Sequence, residues 1–176
     1  MNEHADIPDF GAIADGTTLI IQRLLPGPVD RVWKYLADGE LRRKWLASGD
    51  MQLVPGAALE LVWRNDDLSA TGDHRPDGFP QEQRMQSHVI SVDPMRLLTI
   101  AWGNGDVTFE LRSVADKVLL VVTHRGLDNP DARTMIAAGW HAHLDILLPV
   151  ISGLEAPSFW SNWTKLKSVY GSRLAQ

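Results

Sequence analysis

Between Met85 and Arg125 the chain offers four strand candidates in close succession: Met85 to Val92, Leu97 to Trp102, Asp106 to Val114 and Lys117 to Arg125. Their separators are turn signals, Asp93-Pro94, Gly103-Asn104-Gly105 and Ala115-Asp116. Connections this short make neighbouring strands antiparallel, because a parallel crossover needs about a dozen residues or more. The result is a meander. In its third strand Val107, Phe109 and Leu111 alternate with Thr108, Glu110 and Arg112, so the sheet has one dry face and one wet face. The dry face needs a cover, and the sequence supplies one immediately. Asp128, Asn129 and Asp131 around Pro130 are helix-start chemistry, and Ile136, Trp140, Leu144, Leu147 and Ile151 then recur at steps of three and four. That spacing predicts a long amphipathic helix whose apolar stripe lies on the sheet.

The flanking segments fit around this pair. Thr17 to Leu25 reads as a strand stopped by Pro26-Gly27-Pro28. Val29, Val32, Trp33 and Leu36 follow at helical spacing up to Asp38-Gly39, and Glu40 to Leu46 reads as a second short helix with Arg42, Arg43 and Lys44 turned largely to water. Leu59, Leu61 and Trp63 alternate with Glu60, Val62 and Arg64 in another half-buried strand. Asn65 to Gln83, with Gly72, Pro76, Gly78 and Pro80, is a long loop. Beyond Pro157-Ser158, the residues Phe159, Trp163, Leu166 and Tyr170 share one face of a short C-terminal helix ending at Gly171. The expected organisation is an N-terminal extension (1–15), one α+β domain (16–155) and a C-terminal amphipathic helix packing on that domain (156–176).

Composition removes several function classes. The 176 residues suffice for one core. Cys is absent, so disulfides, thiolate zinc sites and cysteine nucleophiles are excluded. With 17 basic and 22 acidic side chains the net charge is -5, and the basic residues are not segregated, which disfavours nucleic acid. Met1 to Asp15 lacks the order of a secretory signal, and no continuous apolar run reaches the roughly 20 residues of a membrane span. A soluble, cytoplasmic protein is expected. Trp is unusually abundant, with 7 against 4 Phe and 2 Tyr, and such large rings suit the walls of a wide pocket as well as a dense core.

Four segments in this order, Pro28-Val29-Asp30-Arg31-Val32-Trp33, Leu41-Arg42-Arg43-Lys44-Trp45-Leu46, Val92-Asp93-Pro94-Met95-Arg96-Leu97-Leu98 leading to Trp102, and Gly139-Trp140-His141-Ala142-His143-Leu144, resemble the activator of heat-shock-protein-90 ATPase homologues. That family lies within the START-like SRPBCC superfamily. The likeness spans roughly Thr17 to Gly153, and departs from many members at Pro55-Gly56-Ala57, where they carry a paired glycine. It implies a helix-grip fold, a curved antiparallel sheet wrapped around a long C-terminal helix, with two short helices after the first strand. It also implies an internal cavity of the kind the superfamily uses for apolar molecules. Fold alone does not fix function.

The expected function is therefore binding of a small hydrophobic or aromatic molecule, with Trp63, His88, Trp102, Phe109, Trp140 and His143 as its walls. An enzyme of cyclase, dehydratase or hydrolase type using the same cavity, and a co-chaperone-like interaction module, are the alternatives. Trp33 and Trp45 also fall on the inward sides of their elements. No cofactor and no metal are expected. His141 and Asp145 share a helix face and could present two ligands, with His88 or His124 as a third, but His143 points about 160° away, and a surface His141–Asp145 pair is the simpler reading. Asp73-His74-Arg75 could place an acid–base pair over the cavity mouth, though such residues also collect in solvated loops. Gly103-Asn104-Gly105 is a hairpin turn rather than a phosphate cradle, because a strand follows it. Phe159, Trp160 and Trp163 either cap the body or make a homodimer contact.

Overall fold

The computed structural model of the protein describes residues 6–175; residues 1–5, the beginning of the expected extension, and residue 176 lie outside the described residues. Its strands are β1 (Ala12–Ala14), β2 (Thr18–Pro26), β3 (Ala58–Trp63), β4 (Gln83–Asp93), β5 (Leu97–Trp102), β6 (Gly105–Val114) and β7 (Lys117–Arg125). They form one antiparallel sheet in the order β1-β2-β7-β6-β5-β4-β3. The helices are α1 (Val29–Ala37), α2 (Gly39–Arg42), α3 (Pro130–Ile151) and α4 (Phe159–Leu174). This is the expected α+β helix-grip arrangement.

Register keeps the dry residues together. Phe109 stands opposite Leu98 on one side and Val122 on the other, and all three are buried. Each such side chain contributes about 1.5–3 kcal/mol by leaving water. The cover is α3, N-capped by Asn129, whose side chain accepts from the amides of Asp131 and Ala132. By length and composition α3 could cross a membrane, but ten of its residues are buried in the domain, and it is the core helix. It approaches the sheet most closely along β2 and packs against α4 on another side.

Three details differ from the sequence reading. The extension carries a strand of its own: β1 pairs with β2 through Ala12 opposite Ile20, and the Gly11 amide is tied to α4. The second helix is a single turn rather than Glu40 to Leu46. Asp38 caps it, accepting from the amides of Glu40 and Leu41 at 2.8 and 3.3 Å, and a turn then swings Arg42 inward. Arg42 is 3% exposed, not solvated, and its guanidinium donates to the carbonyls of Leu36, Ala47 and Gly49. Burial lowers its pKa to about 10, so it stays charged at neutral pH. Lastly, α4 continues through Gly171 to Leu174, since Tyr170 and Leu174 both pack on the core and outweigh one glycine's preference to end a helix.

A buried polar chain fastens α4. The Gly11 amide donates to the Tyr170 hydroxyl at 2.8 Å, and that hydroxyl lies 2.8 Å from Nδ1 of His141. Nε2 of His141 faces Asp145 at 3.6 Å, and Asp145 also receives Nδ2 of Asn162 at 2.9 Å and Nη2 of Arg23 at 3.5 Å. His141 is thus buried between two helices and not part of a surface pair. Burial pulls its pKa down against the pull of Asp145, and burial raises that of Tyr170. Changing Tyr170→Phe keeps the ring but leaves the buried Gly11 N–H and His141 Nδ1 without partners. Urea denaturation should show a loss of about 1–3 kcal/mol; an unchanged midpoint would mean that the chain of bonds contributes nothing to holding α4.

Candidate ligand cavity

The wedge between α3 and the far half of the sheet is a cavity of about 350 Å³. Its sheet wall follows from the period of two. In β3 the inward series Leu59, Leu61 ends at Trp63; in β5 Leu98, Ile100 ends at Trp102; in β7 Val118, Leu120, Val122 ends at His124. The last inward residue of three strands therefore reaches the cavity. The helical wall is Ile136, Gly139, Trp140 and His143, which the 3.6-residue repeat places in one stripe. A Cβ built on Gly139 would meet no atom within 4 Å, so the glycine opens onto free space.

The third wall comes from α4 and the loop after β3. Phe159, Trp160 and Trp163 line the cavity together with Phe79 and Asn65. Phe79 packs on both indoles, with centroids 5.4 Å from Trp160 and 5.1 Å from Trp163. Polar bonds hold the loop in place: Trp160 Nε1 donates to Asp66 at 2.7 Å, Arg75 pairs with Asp66, and the Asp73 carboxylate receives the Ser158 hydroxyl and the Ser161 amide. The Ser158 bond is the main reason the Asp73 pKa is lowered. Asp73 thus fastens the loop to the helix and Arg75 braces the loop internally, and the two do not form an acid–base pair over the mouth. Phe159, Trp160 and Trp163 are 2%, 4% and 5% exposed, which is the capping arrangement.

Of the expected wall residues, Trp63, Trp102, Trp140 and His143 line the cavity. Phe109 lies behind Trp140, its centroid 5.7 Å away, and supports that ring from the core. His88 is a correction: it is exposed, because β4 turns Met85, Ser87 and Val89 inward and Gln86, His88 and Ile90 outward. No three of the described His, Asp and Glu side chains converge as metal ligands, and His141 and His143 project to opposite sides of α3. The sequence reading did not assign His124, Asn65, Phe79 or Gly139 to the wall. His124 was detectable, as a polar residue on the dry phase of β7; the loop residues carry no periodic signal.

Both cavity histidines have a fixed tautomer. Trp140 Nε1–H donates to Nδ1 of His124 at 3.0 Å, so the His124 proton sits on Nε2. His143 lies 2.7 Å from the Trp45 carbonyl through Nδ1, which must donate, leaving Nε2 as an acceptor. Its ring lies on Phe159 at 4.5 Å. Burial depresses both pKa values to about 4, against a weaker opposing pull from Asp106 on His124 and from the Trp45 bond on His143. Asn65 Oδ1 is buried without a hydrogen-bond partner among the described residues.

Two histidines that refuse protons in the fold accept them near pH 6.5 once unfolded. Their contribution to stability is therefore complete above about pH 6.5 and is lost as pH falls toward 4. Between pH 8 and pH 5 the loss should be about 2 kcal/mol for each histidine. Denaturant titration at both pH values checks this, and His143→Gln should remove its share of the slope. Equal slopes in the two proteins would show that His143 does not titrate as its burial requires.

The fold has counterparts of known structure. A Bordetella parapertussis protein solved by solution NMR is 32% identical, with a TM-score of 0.78, covering 98% of this chain and 95% of its own. A conserved protein of unknown function from Enterococcus faecalis is 16% identical with a TM-score of 0.70, covering 94% and 89%. CalU16 from Micromonospora echinospora is 19% identical with a TM-score of 0.64, covering 90% and 89%. These last two share the fold alone. No curated protein matches the chain. The family model described as activator of Hsp90 ATPase homolog 1-like protein matches residues 26–150, which takes in everything from the end of β2 to the last turn of α3. The chain belongs to that family.

Proposed function

We propose that this domain binds a small, largely apolar aromatic molecule in the wedge between α3 and the sheet, as a carrier, sensor or sequestering protein. The observation that carries this reading is free space over Gly139 inside a wall of indole rings. At about 350 Å³ the space is at the small end of the roughly 300–1,000 Å³ typical of ligand sites, enough for a compact ligand of a few rings. Trp63, Trp102 and Trp140 stand edge-to-face or tilted at centroid distances of 5.3 and 5.2 Å, so an aromatic guest extends a packing pattern already present.

The geometry favours binding over catalysis. A general acid or base works best with a pKa near the operating pH, and His124 and His143 are both held at about 4. The aromatic tail offers the co-chaperone reading no exposed surface, because it is spent on the domain's own wall.

Gly139 separates ligand binding from folding. Gly139→Ala adds a methyl into open space and should stabilise the helix by about 0.5–1 kcal/mol. Gly139→Leu should fill the wedge. The fluorescent probe N-phenyl-1-naphthylamine should bind the wild-type protein and the Ala variant, and lose at least about tenfold in affinity for the Leu variant, with the melting temperature of the Leu variant retained. Equal probe binding by the wild-type and Leu proteins, or no binding by the wild type, defeats the proposal.

A further inference from the structure

The walls are apolar, but their few polar atoms are arranged in a way that apolarity alone does not require. We infer that the cavity selects a neutral aromatic molecule carrying a hydroxyl group, the hydroxyl donating to Nε2 of His143 and accepting from Nε2–H of His124. This rests on the binding reading above and names the chemistry of its ligand.

Each histidine has committed Nδ1 to the protein, His124 to the Trp140 indole and His143 to the Trp45 carbonyl. What each has left is Nε2, on a side chain that lines the cavity, and neither Nε2 makes a hydrogen bond among the described residues. The two atoms are opposite in kind, one a donor and one an acceptor. Both side chains line the same cavity, His124 bonded to Trp140 and His143 three residues further along the same face of α3. Neither ring is free to turn, since Phe159 packs on His143, and Trp102 and Trp140 pack on His124.

The remaining polar atoms sharpen the choice. Asn65 Oδ1 is a second buried acceptor without a partner, and the indole N–H groups of Trp63 and Trp102 make no hydrogen bond among the described residues. A carboxylate or ketone can only accept, so it would leave the Nε2 lone pair of His143 without a donor. An ammonium group can only donate, and no Asp or Glu lines the cavity to balance its charge. Arg84, the one cation on the rim, is exposed and already engaged by Glu60 and Glu82, so it provides no buried partner for an acid. A hydroxyl both donates and accepts. Sites that hydrogen-bond a hydroxyl group reject the analogue lacking it more strongly than apolar sites reject an extra one, because the protein's own polar groups are then left bare.

The test is competition against bound N-phenyl-1-naphthylamine at pH 7 with a matched set, 2-naphthol, 2-methylnaphthalene and 2-naphthoate. The hydroxyl compound should displace the probe at a concentration at least about tenfold below the methyl compound, and the carboxylate should be the weakest of the three. His124→Phe and His143→Phe, made singly, should each cut the hydroxyl-over-methyl affinity ratio to about threefold. A methyl compound that binds as tightly as the hydroxyl compound, a carboxylate that binds tighter than either, or a ratio untouched by both substitutions overturns the hydroxyl assignment while leaving the apolar cavity standing. If neither the probe nor any naphthalene binds, the binding reading itself falls, and this inference with it.

Discussion

A helix that rests on a sheet along one edge and stands off it along the other leaves a wedge, and everything distinctive about this domain depends on that wedge staying open. Hydrophobic collapse tends to close such a gap, since an empty space in a core forfeits contacts on every side. Here α3 is drawn down along β2, where Arg23 reaches Asp145, and is propped away from β3 and β5 by Trp140 meeting Trp102, which in turn meets Trp63. Indoles are wide and rigid, and the N–H group of Trp140 is tied to His124, so the central prop cannot rotate into the space it holds open. The gap communicates with the rim at Gln81, Gln83 and Arg84, which lets water occupy it when nothing else does.

A second chain of cause runs from a buried charge to the chemistry of the cavity. The one-turn α2 leaves backbone carbonyls without partners on either side of it, and Arg42 gathers those of Leu36, Ala47 and Gly49. That fixes the path of residues 43–49, in which Trp45 is wholly buried and bonds the Tyr35 carbonyl through its indole. The carbonyl of Trp45 is then held where it accepts from Nδ1 of His143 and so dictates which nitrogen of that ring is left as an acceptor. Gly49 belongs to the same arrangement. Its φ of +127° and the 2.0 Å that a Cβ would leave to the Glu60 carbonyl make it irreplaceable where this loop crosses β3.

The parts of this architecture that were legible in the sequence are those written in a period. Alternation in β3 and β6 and the stripe on α3 placed Trp63, Phe109 and Trp140 on the inner side, and the turn at Gly103-Asn104-Gly105 set the hairpin between β5 and β6. His88 shows the limit of the method: β4 is long and bulged near Val89, and its phase has to be anchored on a buried residue before a polar one can be assigned a face. Phe109 was on the correct face but in the wrong layer, since period says inward and not how deep. Arg42 was unreadable because its burial comes from backbone carbonyls, which leave no trace in side-chain pattern. The loop wall of Asn65 and Phe79 is set by bonds to α4 some 90 residues away, between Asp66 and Trp160 for instance, and local sequence carries no record of that.

The cavity draws its walls from both the family-matched region and the segment that follows it. The family match ends at residue 150, yet Phe159, Trp160 and Trp163 form one of its walls, and Phe159 is the ring on which His143 lies. These residues reach the wedge only because α4 is fastened at both ends, by Ser158 to Asp73 in the loop and by Tyr170 to His141 and Gly11 in the body. The shared region thus sets the sheet, the long helix and the orientation of His124 and His143, while the tail sets how much of the wedge is left and what its third wall offers a guest. In this chain the frame is set by periodic burial and the third wall by a handful of long-range polar bonds, so fold and site answer to different residues.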